Sequence, residues 1–581
     1  MTVPRQTLEA DIVCVGFGPA MGGFLTTLSR AGLESPSVPG MPLQVLCYER
    51  ADDISFGVSG VVTRGHGIRS SFPELDLAEI PMAAPVKREK IVYLLDPVGA
   101  TRRSFGLRTA DKALRALSLA KGDAYELPYV PPFLHKSGGM VLSIGQFNQW
   151  VGSQLMAGGT VQIWPGMPVA EALIEGDRVA GVRLLDQGVD VRAALTVVGD
   201  GPVGAVGKQI DEHFGLPPGH TRHEWAVGMK VVVDLREDVE LEPGTVFHTF
   251  GFPEPEIFGF LYVHPDHVAS LGIFVPSWFY NPARTSYRYL QHFMMHPYLW
   301  RYLQGARLRS WGAKSLQEAG RRGEPYLAGN GYARIGEGSG STNVLTGSGV
   351  DEAWTTGIQL AEAVVELARD GVPFTRENLE KTYVARRRAS WVEHEGRVAE
   401  KARDGFHRGV ITGMIGMALA GMTRGRLTVG GEPRKMPTLE EFYEGRIPAD
   451  EIEHVRRESA SRGVGPHDAL MDRCGWPPIP YDGVLLVSQQ DALLMGGKVQ
   501  APPGYADHVV FEFPGLCERC GAKLCIDICS AQAITPGEGG IPVFDREKCI
   551  FCGACTWNCS QPGEQNIRFL AGAGGLHSAE N

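Results

Sequence analysis

Two cysteine runs near the C-terminus constrain this chain more than any other feature. Eight of its eleven cysteines lie there, as CERCGAKLCIDIC (Cys517, Cys520, Cys525, Cys529) and CIFCGACTWNC (Cys549, Cys552, Cys555, Cys559). The second run has the C-x2-C-x2-C-x3-C spacing, in which three close thiolates hold one cubane iron–sulfur cluster and the fourth crosses to another. The first run is the same frame with two extra residues between its second and third cysteines, so the pair forms a small internal repeat. The crossover rule assigns Cys549, Cys552 and Cys555 with Cys529 to one [4Fe–4S] site. Cys517, Cys520 and Cys525 with Cys559 make the other. C-x2-C pairs also suit tetrahedral zinc, but zinc does not call for triplets followed by a remote fourth ligand. A disulfide framework fits less well still, because MTVPRQTLEADIVCVG enters a strand at once and leaves no room for a signal peptide.

The N-terminal end carries a nucleotide pattern. DIVCVG, from Asp11 to Gly16, is a short apolar run closed by glycine, as a buried parallel strand requires. Gly16 and Gly18 would make the tight turn that brings backbone N–H groups and a helix N-terminus onto a pyrophosphate. The third glycine of G-x-G-x-x-G is replaced by Met21, with glycines displaced to Gly22 and Gly23. A second strand, LQVLCY, ends in Glu49, placed to accept from a ribose hydroxyl. Further on, TVVGDGPVGAVGKQI holds Gly199, Gly201 and Gly204 in a second such motif, without a following strand that ends in an acid. Near Arg334 a strand, a polar glycine loop and a long amphipathic helix follow one another. Three separated segments converging on one nucleotide fit FAD better than NAD.

The remainder reads as sheet and helix. Residues 138–185 and 225–280 are rich in β-branched and aromatic residues, which predicts an antiparallel sheet domain inserted between the FAD segments. The run Arg386, Arg387, Arg388 reads as a solvated helix face. Two apolar stretches stand out: LPYVPPFL, from Leu127 to Leu134, and GVITGMIGMALAGM, from Gly409 to Met422, with Arg408 and Arg424 beside it. Fourteen residues are too few to span a bilayer, which leaves a buried core element or an interfacial one. A net charge of −10 argues against nucleic acid as a partner. Iron–sulfur assembly points to a reducing compartment, so the cytoplasmic side is expected.

The chain resembles the electron-transfer flavoprotein–quinone oxidoreductase family, and the related FixC flavoproteins with a FixX-like ferredoxin fused behind. The likeness runs through VSGVVTRGHGIRSSFPELD, LSIGQFNQWVGSQL, AVGMKVVVDL, FLYVHPDHVASLGIFV and CIFCGACTWNCSQPGEQNI. It implies electron transfer from reduced electron-transfer flavoprotein, a heterodimer, through FAD and iron–sulfur centres to ubiquinone or menaquinone. It also implies that LPYVPPFL and GVITGMIGMALAGM sit in a monotopic membrane face, at the cytoplasmic side of the inner membrane. The single-cluster members have ligands at the positions of Cys529, Cys549, Cys552 and Cys555, and Cys517, Cys520, Cys525 and Cys559 are additional.

The resulting fold expectation is an α/β FAD-binding, Rossmann-like domain of the two-segment glutathione-reductase type. An antiparallel quinone domain is inserted in it, and an α+β ferredoxin-like domain follows. The expected boundaries are 1–130 for the first FAD segments, and 131–330 for the quinone sheet mixed with FAD segments, including 190–222. The FAD return segment is 331–375, a helical membrane-face and linker region is 376–500, and the iron–sulfur domain is 501–581. The cofactor candidates are Gly16, Gly18, Pro19, Ala20 and Gly22; Glu49 and Arg50; Ser59 and Gly60; Asp200 and Gly201; and Gly336, Glu337 and Gly349. Phe258, Gly259 and Phe260 in EIFGFLY are the quinone candidates. No residue is assigned an acid–base or nucleophilic role, because the cofactors carry the chemistry. The competing readings are a geranylgeranyl-reductase-like or NAD(P)H/ferredoxin-dependent flavoenzyme, and a relay subunit of a larger complex.

Overall fold

The computed structural model describes residues 5–38, 40–54, 60–185, 188–217, 219, 221, 223–282, 286–462, 464–495, 498–499, 507–559, 566–572 and 575–576. Ser59 lies outside them.

An eight-stranded sheet forms the first layer. Its centre is the strand Gln6–Val15, parallel to Val189–Val198 on one side and to Val45–Tyr48 on the other, with Val161–Trp164 beyond. Tyr332–Arg334 adds in parallel to Val189–Val198. The apolar end of the central strand is fully buried from Ile12 to Cys14, as expected for a parallel sheet covered on both faces. Two helices lie together on one face, Pro19–Arg30 and Val350–Arg369.

They approach unusually closely. A side-chain carbon at Gly23 would lie 2.3 Å from the Trp354 carbonyl oxygen, and one at Gly357 would lie 1.9 Å from that of Ala20. Glycine is therefore required at this crossing for packing. The missing motif glycine at Met21 is thus offset by its neighbours, which let the two helices close over the sheet edge.

A seven-stranded sheet forms the second layer, in the order Arg307–Gln317, Trp225–Asp234, Val268–Pro276, Phe258–Val263, Thr245–Phe250, Arg88–Leu94, Ala124–Glu126. All its pairings are antiparallel except Thr245–Phe250 with Arg88–Leu94. The helices Ser286–Met294 and Pro297–Leu303 cover it, burying Leu290, Phe293 and Leu299.

Two sequence expectations are corrected here. Residues 138–185 do not belong to this sheet. Met140–Leu142 pairs in a separate three-stranded sheet, and Val161–Trp164, Val169–Glu175 and Arg178–Leu184 extend the first layer. Conversely, Arg88–Leu94 and Ala124–Glu126, inside the expected first FAD segment, belong to the second layer. β-branched composition marks a strand, while the choice of sheet depends on long-range pairing.

The cysteine-rich unit is small, with two short antiparallel pairs, Val509–Phe511 with Ile567–Phe569 and Ile534–Thr535 with Val543–Phe544. It docks on the seven-stranded sheet at the end of Arg307–Gln317.

Candidate functional site

The central strand is followed by Gly16, whose φ is 82° and where a side-chain carbon would lie 2.8 Å from the Gly199 carbonyl oxygen, so no side chain fits. Gly18 then begins the helix Pro19–Arg30, with proline in its first turn. Among the described residues no side chain caps that helix, and the space beside Gly18 is open for 4 Å. Bare N–H groups and the positive end of a helix dipole therefore face a cavity. Gly201 is equally open (φ 78°). This cavity, about 230 Å³, is also lined by Glu49, Arg50 and Asp200.

Glu49 accepts from the N–H of Phe17 at 2.7 Å and of Ala51 at 3.0 Å, which holds the glycine turn against the second strand. A carboxylate has roughly four lone-pair positions, so acceptor capacity remains for a hydroxyl. Asp200 lies on this cavity as expected, and its carboxylate also accepts from the Gly207 N–H at 2.9 Å, in the first turn of the helix Ala205–Phe214.

A second cavity, about 410 Å³, continues from the first, and Gly18, Gly199, Gly201 and Lys314 line both. The candidates Pro19, Ala20, Gly60, Gly336, Glu337 and Gly349 all lie on it. Gly349 begins the helix Val350–Arg369, so a second helix N-terminus, also without a side-chain cap, meets this space. Gly22 lies on neither cavity; it packs against the Trp354 ring. The joined cavities, glycine turns and paired helix ends have the length and donor set of a dinucleotide cradle.

The opposite wall of the larger cavity is aromatic. Phe258, Phe260 and Tyr262 line it, with Phe260 and Tyr262 stacked at 4.3 Å. Gly259 does not. Strand alternation sends it to the other face, where a side-chain carbon would lie 2.8 Å from the Phe293 ring. The quinone candidates thus reduce to the two phenylalanines.

Lys230, Lys314 and Glu337 also line the cavity, along with Glu318 and Arg403. Lys230 and Lys314 lie on neighbouring strands, each opposite a glycine of the other (Lys230 with Gly312, Lys314 with Gly228). Burial pulls both ammonium pKa values down to about 8. Lys230 donates to the Gly60 carbonyl at 3.1 Å. Burial pushes the Glu337 carboxyl up to about 7, while its oxygen accepts from the Gln317 N–H at 2.8 Å.

The eight cysteines fall into two sets. Cys517, Cys520, Cys525 and Cys559 line one small cavity together. Cys549 and Cys555 each interact with Cys552 and Cys529. Cys555 also faces Cys525 of the first set, so the two groups adjoin. Among the described residues no three His, Cys, Asp or Glu side chains converge as a single metal ion requires. Burial raises the Cys525 and Cys555 thiols well above their ordinary range and Cys529 to about 11, so loading either set releases protons. Donors already surround the sulfurs: Asn566 Nδ2 to Cys517 at 3.1 Å, Ala533 N to Cys529 at 3.1 Å, Phe551 N to Cys549 at 3.4 Å. Four thiols around one space, with such donors, would suit a cubane cluster.

The Cys549 set sits against the flavin-side cavities. Ser315 N–H donates to the Cys552 carbonyl at 2.8 Å, Lys314 Nζ to that of Phe551 at 3.3 Å, and Trp557 Nε1 to Ser315 Oγ at 2.9 Å. The Trp557 ring stacks on Trp225 (6.3 Å, 4°).

A family model described as "ETF-QO, ubiquinone-binding" matches residues 225–316, which carry five strands of the seven-stranded sheet and the aromatic wall. The mitochondrial electron transfer flavoprotein-ubiquinone oxidoreductase of Arabidopsis thaliana is 29% identical across 98% of this chain and 84% of its own length. The Pseudomonas aeruginosa protein of that name is 26% identical across 67% and 69%. The chain is thus similar to the electron transfer flavoprotein-ubiquinone oxidoreductases over most of its length. A geranylgeranyl bacteriochlorophyll reductase-like protein of Thermoplasma acidophilum shares the fold, with a TM-score of 0.52 and 15% identity over 77% of this chain and 99% of that one.

The arginine run is only partly a solvated face: Arg388 is exposed and Arg386 half-buried, while Arg387 turns inward. Arg387 is buried and bonds Ser339 O and Oγ at 3.2 Å each, bracing the loop that carries Gly336 and Glu337. It follows directly on a π turn, Glu380–Val384, which rotates the helix to deliver it. Lys230, Lys314, Tyr262 and Arg403 line the larger cavity and were not among the sequence candidates. The signal for the lysines was a lone cation inside each of two apolar strands, VGMKVVV and SWGAKSL.

The two apolar stretches meet. Phe133 packs against Gly421, where a side-chain carbon would lie 2.1 Å from its ring. The helix Val410–Thr423 turns Gly413, Gly416, Met417 and Ala420 inward. Ile411, Ile415 and Met422 point out, 51%, 51% and 71% exposed, in one stripe, and Tyr129 of the other stretch is exposed as well. No helix among the described residues is long and apolar enough to cross a membrane.

Proposed function

We propose that this protein takes electrons from reduced electron-transfer flavoprotein and delivers them through two [4Fe–4S] clusters and FAD to ubiquinone or menaquinone. When bound, the clusters pass single electrons and FAD exchanges one or two, which matches a one-electron donor to a quinone that needs two. The glycine turn at Gly16 and Gly18 holds the pyrophosphate through N–H groups. Glu49 accepts from the ribose, and the N-terminus at Gly349 faces the isoalloxazine end. Phe258, Phe260 and Tyr262 receive the quinone ring and exclude water from it. Lys230 and Glu337, with pKa values drawn near neutrality, hold protons beside that ring.

The observation that carries this reading is the continuous cavity from the glycine turn to the aromatic wall, with the Cys549 set bonded to its edge through Lys314 and Ser315. In this scheme the seven-stranded sheet is the quinone domain and the C-terminal unit is ferredoxin-like. The stripe of Ile411, Ile415 and Met422, with Tyr129, rests monotopically on the cytoplasmic face of the inner membrane.

Anaerobic mixing with reduced electron-transfer flavoprotein and a short-chain quinone in detergent tests the reading. Quinol should form at the rate of flavoprotein oxidation. Rapid bleaching of the flavin by NADH alone, without quinol formation, would instead favour an NAD(P)H-dependent flavoenzyme on the same fold.

A further inference from the structure

The nucleotide cavity has a wall that no flavin-side element supplies. Facing the glycine turn and the Glu49–Arg50 corner stand Phe551, Phe569 and Leu570, with Ala571 and Gly572 behind, all from the cysteine-rich unit. Phe551 lies between Cys549 and Cys552 in sequence. The Arg50 guanidinium covers its ring at 4.2 Å, and the His508 ring stacks on it at 3.9 Å and 16°.

The 569–572 segment is pinned to the same stack. Leu570 N–H donates to the His508 carbonyl at 2.7 Å, and the Phe569 ring meets Phe551 edge-on at 5.7 Å and 87°. Gly572 approaches so closely that a side-chain carbon would lie 2.9 Å from His508 Cβ. Leu570 ends this rigid wall with a side chain 37% exposed, turned to the cavity. An apolar group held at the rim of a cradle whose floor is polar matches a ligand that is charged in the middle and flat and apolar at its end.

We infer that the iron–sulfur unit is itself part of the FAD site: Phe551 and the 569–572 segment clamp the adenosine end of the cofactor, with Leu570 against the adenine. The clamp rests on the flavin reading above. It makes the fused arrangement functional as well as economical, because the nucleotide is enclosed only when the cysteine-rich unit is folded onto the sheet.

The test uses the full chain with Leu570→Gln and Leu570→Ala. FAD release is followed by recovery of flavin fluorescence after dilution. Uptake of FAD by the flavin-free chain is measured against ADP, and uptake of FMN probes the other half of the site. Leu570→Gln should release FAD about tenfold faster, the factor expected for loss of one apolar contact. ADP should compete correspondingly less well, with FMN uptake and iron content unchanged. Val543→Gln, an exposed position on the same unit that does not line the cavity, should release FAD at the parental rate. Parental release rates in both Leu570 variants, in a protein that holds FAD, overturn the clamp. So does loss of FMN uptake or iron along with FAD, the signature of a collapsed unit. A parent that takes up no FAD overturns the flavin reading itself, and the clamp with it.

Discussion

Replacing Gly23 by alanine probes the crossing on which the cofactor cradle depends. The new methyl would lie 2.3 Å from the Trp354 carbonyl oxygen, 3.1 Å from its carbon and 3.2 Å from the Trp354 ring. Restoring an ordinary contact of about 3.4 Å requires the helices Pro19–Arg30 and Val350–Arg369 to part by roughly 1 Å, because the obstacle is backbone. Overpacking of this kind costs about 1–3 kcal/mol. Against it, alanine gains about 0.5–1 kcal/mol over glycine in a helix. The balance is a loss of about 1–2 kcal/mol, and it falls on a crossing whose Gly18, Ala20 and Gly349 line the cavities. FAD binding should therefore weaken together with thermal stability. Gly18→Ala is the contrast, since the space beside Gly18 is open and its φ of −107° is ordinary. That variant should keep the parental melting temperature of the flavin-free chain and lose affinity only for FAD. Thermal unfolding with and without FAD, alongside flavin fluorescence, reads both quantities. A Gly23→Ala chain as stable as its parent would show that helix propensity outweighs the clash, and the reasoning would fail.

Other outcomes follow from the same geometry. Cys559→Ser should lower iron from about eight to about four atoms per chain and leave the EPR signal of the Cys529 set in place, because only the Cys517 set loses a ligand. A chain that loses all its iron would refute separate sets. Burial holds His264 at about 4, between the Met82 carbonyl and Ser270 Oγ at 2.7 Å each. A depressed histidine stabilises the fold above its unfolded pKa near 6.5 and loses that contribution as pH falls toward 4. The parent should therefore lose about 2 kcal/mol between pH 6.5 and 5 that His264→Asn does not lose, measured by denaturant unfolding at both pH values. Equal pH dependence in the two chains would remove His264 from the account. Finally, Ile411→Glu, Ile415→Glu and Met422→Glu together should abolish flotation with liposomes and leave iron and flavin content unchanged. Retained flotation would place the membrane face elsewhere.

Much of the site was legible in the sequence because its signals are local. Cysteine spacing proposed two ligand sets, and Cys517, Cys520, Cys525 and Cys559 do share one cavity. The strand, glycine turn and helix from Asp11 onward, closed by Glu49, formed as read, since a turn of a few residues is governed by its own backbone preferences. Strand alternation alone would have turned Gly259 away from Phe258 and Phe260, had the register been known. What stayed hidden was every feature made by residues far apart in the chain. The allocation of residues 138–185 to the first sheet, the burial of Arg387 against the Ser339 loop, and Lys314 shared between two cavities all depend on pairing between distant strands and helices. Composition reports how strongly a segment prefers to be a strand, but not which neighbour it finds. The cysteine runs illustrate the division. Their spacing pointed to iron–sulfur chemistry on its own, whereas only the tertiary structure set Phe551 and Leu570 against the cavity of the glycine turn, because a wall between two units exists in neither until they pack.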